Sequence, residues 1–180
     1  MTWAICAGHP TTDMPTSTEI YLDIETTWDR TITVIGISCA VGEVIQLVAP
    51  KISPRQVLDA LPATGVMYTF NGHSFDLPVI KKQLGIGLRE RYDSRDLRYL
   101  CKDQGLTGGQ KAIEQHLGLK RHTEGVDGME AIRLWDRWHR QGCEASLDRL
   151  LHYNREDVLG MRLLKETVTT PKLVNRKATT

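Results

Sequence analysis

Three well-separated stretches of this 180-residue sequence hold side chains that could do chemistry together: YLDIETT with Asp23 and Glu25, NGHSFDLP with Asp76, and YNRED with Tyr153 and Asp157. Carboxylates are hard oxygen donors. Several of them gathered in one place repel one another unless a cation lies between them, and Mg²⁺ or Mn²⁺ suits such a donor set. Divalent ions in an acidic site bring phosphate oxygens with them.

The local geometry of each stretch is compatible with convergence. Ile20, Leu22 and Ile24 alternate with Tyr21, Asp23 and Glu25, so a strand there puts both carboxylates on one face and the aliphatic residues on the other. Adjacent acids are unfavourable in a strand, and a solvated strand face is the plain alternative to a metal site. Asp76 follows the β-rich run VMYTF and falls in the first turn of a helix that Ser74 can cap, at the strand end where open α/β sheets place their ligand crevice. There an acid also suits the helix dipole without any further role. Tyr153 and Asp157 are four residues apart in a helix, hence about 40° apart around it, at the edge of the stripe formed by Leu147, Leu150, Leu151, Val158 and Met161. A packed Tyr beside a solvated Asp would explain that pair too.

The elements that must position these groups follow from pattern and turn residues. Strands are expected at 19–25, 31–40 and 43–49, joined by short turns that favour an antiparallel meander. A helix over 53–61, with Ser53 as N-cap and Pro54 at its first position, leads to a strand at 66–70 and predicts a right-handed crossover onto a parallel neighbour. Further helices are expected at 75–83, 93–102, 109–117, 128–139 and about 146–167. The order predicts an α/β fold in which a mixed sheet, part antiparallel meander and part parallel, is flanked by helices. The folded domain is expected at 19–168, with loosely ordered tails at 1–18 and 169–180, the latter basic.

Composition excludes several classes. With 41% hydrophobic residues and 25% charged, the chain is neither disordered nor collagenous, and its four cysteines show no close pairs of the kind structural zinc uses. No apolar run approaches the ~20 residues of a membrane span, so neither membrane insertion nor a membrane partner is expected, and the chain reads as cytoplasmic. The formal charge of +1 conceals an asymmetry: residues 1–80 carry 3 basic and 8 acidic side chains, whereas residues 81–122 carry 10 and 5. An acidic segment followed by a basic one suits metal-binding carboxylates beside a phosphate-attracting surface.

Taken in order, Asp-x-Glu, the Asn-x-x-x-Phe-Asp of NGHSFDLP and Tyr-x-x-x-Asp resemble the three exonuclease motifs of the DEDD superfamily, which has a ribonuclease-H-like fold. The text around them (GGQKAIEQHLGLKR, VDGMEAIRLWDRW and LLHYNREDVLGMRLL) resembles the YprB-type exonuclease domain over about 150 residues. The resemblance implies a 3′–5′ exonuclease that uses two Mg²⁺ or Mn²⁺ ions and releases nucleoside 5′-monophosphates. It implies that Asp23 bridges both ions, that Glu25 and Asp157 complete the nucleophile-side ion, and that Asp76 holds the other largely through water. Members carry either a Tyr four residues before the last Asp or a His five before it, and this sequence has both Tyr153 and His152. On an unbroken helix His152 points about 140° from Asp157, which favours Tyr153, the DEDDy pattern, as the residue that orients water.

Thr26 and Thr27, and likewise Asn71, His73 and Phe75, are candidate substrate contacts, each with an ordinary role in turns or core as the alternative. Asp93 resembles an accessory acid of the superfamily and equally suits a helix N-cap. Lys81, Lys82, Arg89, Arg91, Arg95 and Arg98, interleaved with Tyr92 and Tyr99, could track phosphates and stack bases, or form a solvated basic face. Nucleic acid is the expected partner, single-stranded DNA or an unpaired 3′ end ahead of RNA. An exoribonuclease, or a non-catalytic nucleic-acid-binding module within a larger complex, is the alternative.

Overall fold

The computed structural model describes residues 18–123 and 125–170. Strand β1 (Glu19–Thr26) lies at the centre of a five-stranded sheet of order β3-β2-β1-β4-β5. β2 (Ile32–Ser38) and β3 (Ile45–Val48) complete the antiparallel meander on one side, while β4 (Val66–Thr69) and β5 (Asp93–Asp96) run parallel to β1 on the other. The mixed sheet expected from the sequence is therefore present, and β1 is where its two halves change direction.

Alternation along β1 sorts the two layers that cover the sheet. Ile20, Leu22 and Ile24 pack with Ile35, Ile37 and Met67 against α1 (Pro54–Asp59), α2 (Asp76–Leu84) and α3 (Leu88–Arg91) through Val57, Leu77, Ile80 and Leu88. The opposite face carries Tyr21, Asp23 and Glu25. It is covered by α4 (Leu97–Asp103), α5 (Gln110–His116), α6 (Gly128–Gln141) and α7 (Glu144–Thr169), with Val158 and Met161 of α7 lying over the stacked rings of Tyr21 and Tyr68.

Gly36 makes the closest of these approaches possible. It pairs with Asp23 across the β1–β2 ladder, so both positions face α7. A Cβ there would collide with the Asn154 carboxamide and lie 2.8 Å from Val158 Cγ2. The missing side chain lets α7 settle on β2 and brings Asn154 and Asp157 down to the strand that bears the two acids.

The structure corrects three local expectations. The segment DSRD is strand, not the start of a helix: Asp93 pairs with Val66 and holds Arg95 at 2.8 Å, and the helix begins only after Asp96, which accepts from Arg98 N–H at 3.0 Å. Four polar residues have little strand preference, but the open edge of β4 supplies hydrogen-bond partners for them. Ser74 does not cap α2, whose N-cap is Phe75; the Ser74 N–H instead donates to Asn71 C=O at 3.1 Å within the turn. The short helix α3 was not anticipated. Ser53 does cap α1, accepting from Gln56 N–H at 3.3 Å. Apart from their innermost residues, the expected tails at 1–18 and 169–180 lie outside the described residues. No described helix is long and apolar enough to cross a membrane.

Candidate active site

Where β1 and α7 meet, one carboxylate oxygen each from Asp23, Glu25 and Asp157 lie within 4.8 Å of one another. Glu25 and Asp157 are buried, and Asp23 keeps an edge open to a crevice of about 310 Å³ lined also by Ile24, Thr26, Phe75, Ile132 and Tyr153. Asn154, one turn before Val158, donates its Nδ2 to Asp23 Oδ2 at 2.9 Å and accepts from Gln46 Nε2 at 2.9 Å, so β1, β3 and α7 are locked together behind the acids.

Asp76 joins from the first residue of α2. Parallel pairing of β1 with β4 ends at Tyr21, leaving the later β1 edge without a strand, and Asp76 Oδ1 accepts from the freed Ile24 N–H at 3.0 Å. Its carboxylate is thereby drawn across to the strand and held buried at the rim of the cluster.

Crowding acids away from water favours their neutral forms. Burial first, then the charges of Glu25, Asp76 and Asp157, pushes Asp23 well above the usual carboxylate range; burial and then Asp157 do the same to Glu25. Burial pushes Asp76 up to about 7. Burial also raises Asp157, against the opposing pull of Arg121 and Lys111. Such a set of oxygen donors, buried, mutually repelling and open on one side, fits a hard divalent cation.

Tyr153 lines the same crevice, with its ring packed among Val34, Leu134 and Leu150. Burial and the charge of Asp157 raise its hydroxyl pKa, so it stays protonated. His152, on the unbroken α7, is exposed and points into a separate surface groove with Arg121, His122 and Arg149.

The other candidates divide. Thr26 and Phe75 line the crevice. Thr27 instead closes the β1–β2 turn, its hydroxyl bonded to Asp29 and accepting from Thr31 N–H at 3.0 Å. Asn71 and His73 are held by Asp96, whose carboxylate accepts from their backbone N–H groups at 2.7 and 3.1 Å; His73 Nε2 lies 2.9 Å from Ser94 Oγ. Of the basic stretch, Lys81 pairs with Glu90 and Arg98 donates to Asn71 at 2.6 Å, while Tyr92 is buried and only Tyr99 is an exposed ring.

Sequence reasoning missed two cations. Lys111 donates to Tyr153 Oη at 2.7 Å and to Val126 C=O at 2.5 Å. Arg121 pairs with Asp157 and, at 2.7 Å, with Glu114. Both lie in GGQKAIEQHLGLKR, Lys111 near the start of α5 and Arg121 in the loop after it, and neither position carries a periodic signal that marks it out.

The comparisons agree with this architecture. The family model RNase_H_2, of the RNase_H superfamily, matches residues 20–169, so the chain belongs to the ribonuclease H superfamily. Among solved structures it is similar to Brucella melitensis NrnC bound to pGG, at 16% identity and a TM-score of 0.58, over 86% of this chain and 76% of that one. No curated protein matches the sequence. The fold is thus a ribonuclease-H-like nuclease fold with a buried acidic cluster at the centre of its sheet.

Proposed function

We propose that the chain is a metal-dependent 3′–5′ exonuclease that hydrolyses the terminal phosphodiester of single-stranded or unpaired nucleic acid to nucleoside 5′-monophosphates, with two Mg²⁺ or Mn²⁺ ions as cofactor. The observation that carries this reading is the convergence of Asp23, Glu25 and Asp157 within 4.8 Å, beneath Tyr153, at the floor of an open crevice. The motif order of the DEDDy exonucleases supports it, as do the superfamily match and the similarity to NrnC bound to pGG.

Asp23, Glu25 and Asp157 would hold the metal, with Asp76 contributing from the rim. Bound divalent metal supplies activation of the attacking water and stabilisation of the departing 3′ oxygen. Tyr153 is a poor base because its hydroxyl is held protonated; it orients the water as a hydrogen-bond donor, and Lys111 fixes the phenol oxygen. Thr26 and Phe75 form the crevice wall against which the terminal nucleotide lies.

The test is digestion of 5′-labelled single-stranded oligonucleotides with Mn²⁺. The parent protein is expected to shorten them stepwise from the 3′ end, and Asp23→Asn to be at least about a hundredfold slower. Equal rates for parent and variant would refute the assignment. Matched DNA and RNA substrates decide the sugar: DNA is expected to be the faster, and faster RNA cleavage would make the enzyme an exoribonuclease. Binding without turnover would make it a nucleic-acid-binding module.

A further inference from the structure

Behind the acidic cluster sits a charged relay that metal ligation does not require. Glu114, on α5, is 1% exposed and is not among the clustered acids. Its carboxylate accepts from Gln110 Nε2 at 2.8 Å and from Arg121 Nη1 at 2.7 Å. The same Gln110 amide donates to the Asp157 backbone carbonyl at 2.8 Å, and Arg121 Nη2 pairs with Asp157 Oδ1. Gly160, three residues past Asp157, makes the space: a Cβ there would collide with Glu114 Oε1. A carboxylate buried this deeply is unfavourable unless paired, and its one charged partner among the described residues is Arg121. The arrangement therefore clamps a guanidinium, itself only 15% exposed, against one oxygen of a proposed metal ligand.

We propose that Arg121, clamped by Glu114 in the notch at Gly160, is a resident counter-cation of the acidic cluster: it neutralises Asp157 while the cluster is empty and sets a low affinity for divalent metal. The inference rests on the metal-site reading above. With Asp157 ionised, Arg121 acts on metal in two opposing ways. Restraining Asp157 in one rotamer favours binding by about threefold. Placing a positive charge next to the ligand opposes a doubly charged ion by about tenfold or more, even with strong solvent screening. The Coulomb effect is the larger, so removing the guanidinium tightens metal binding. Arg121 is a positioning residue in this account and touches no substrate.

The test is calorimetric titration of the metal-stripped protein with Mn²⁺, with thermal melting to confirm folding. Arg121→Gln is expected to bind Mn²⁺ at least about fivefold more tightly than the parent. Because that variant leaves the buried Glu114 without its charged partner, Glu114→Gln/Arg121→Gln provides a second form with no orphaned charge and is expected to shift the same way. Arg121→Lys keeps the charge and is expected to stay within about twofold of the parent. Parental or weaker binding by the Gln variants would overturn the proposal, as would an Arg121→Lys shift as large as theirs. A parent protein that binds no Mn²⁺ would overturn the metal-site reading and this inference together, so the two failures are distinguishable.

Discussion

At the scale of residues, the candidate site depends on side chains whose environments differ from what their types suggest. Asp76 occupies a helix's first turn, where an acid ordinarily serves the dipole, yet its oxygen is spent on the Ile24 amide of the central strand. Tyr153 has one polar atom, fixed by Lys111 and facing the acids. Tyr153→Phe removes that atom and leaves the packed ring, so a fall in kcat of about 10- to 100-fold is expected with KM and melting temperature little changed, measured by steady-state digestion and thermal denaturation. An unchanged kcat would remove Tyr153 from the water-orienting role. The approach of Asp23, Glu25 and Asp157 to one another could be anticipated, because strand alternation puts the first two on one face and helix spacing puts Asp157 at the edge of the apolar stripe. That of Arg121 and Lys111 could not, because a single cation at a loop or helix end has no periodic signature and its partners are remote in sequence.

At the scale of elements, the meander, the crossover after α1 and the long final helix could be read from alternation, capping residues and apolar stripes. β5 could not, since Asp93, Ser94, Arg95 and Asp96 become a strand only because β4 offers an unpaired edge. The role of Gly36 was equally hidden, for a glycine within a strand announces a close approach but not by what. Gly36→Ala forces a methyl group into Asn154 and Val158. It is expected to cost about 1–3 kcal/mol in urea denaturation and to reduce nuclease activity further by lifting α7 from the sheet. A fully stable, fully active variant would show that the contact between α7 and β2 does not set the site.

At the scale of the whole molecule, the acidic cluster couples folding to pH and metal. An acid whose folded pKa lies above its unfolded value binds more protons when folded, so stability is greatest below the unfolded pKa and is lost as pH rises through the folded one. Asp76, raised to about 7 from 3.8, sets a window from roughly pH 4 to pH 7, and Asp23, Glu25 and Asp157 act in the same direction. Metal-free protein is therefore expected to be less stable at pH 8 than at pH 5.5, by an amount on the order of 2 kcal/mol from Asp76 alone. Added Mn²⁺ is expected to restore most of the difference. Urea midpoints in EDTA that rise between those two pH values would contradict it.

The placement of the acids on the first strand and the last helix also bears on how the protein is made. A chain leaving the ribosome presents Asp23 and Glu25 early, but Tyr153 and Asp157 join them only when α7 has emerged and docked on β2. Until then no assembled centre exists, and products of interrupted translation or of cleavage upstream of α7 would lack both Asp157 and Tyr153 and are expected to leave nucleic acid uncut.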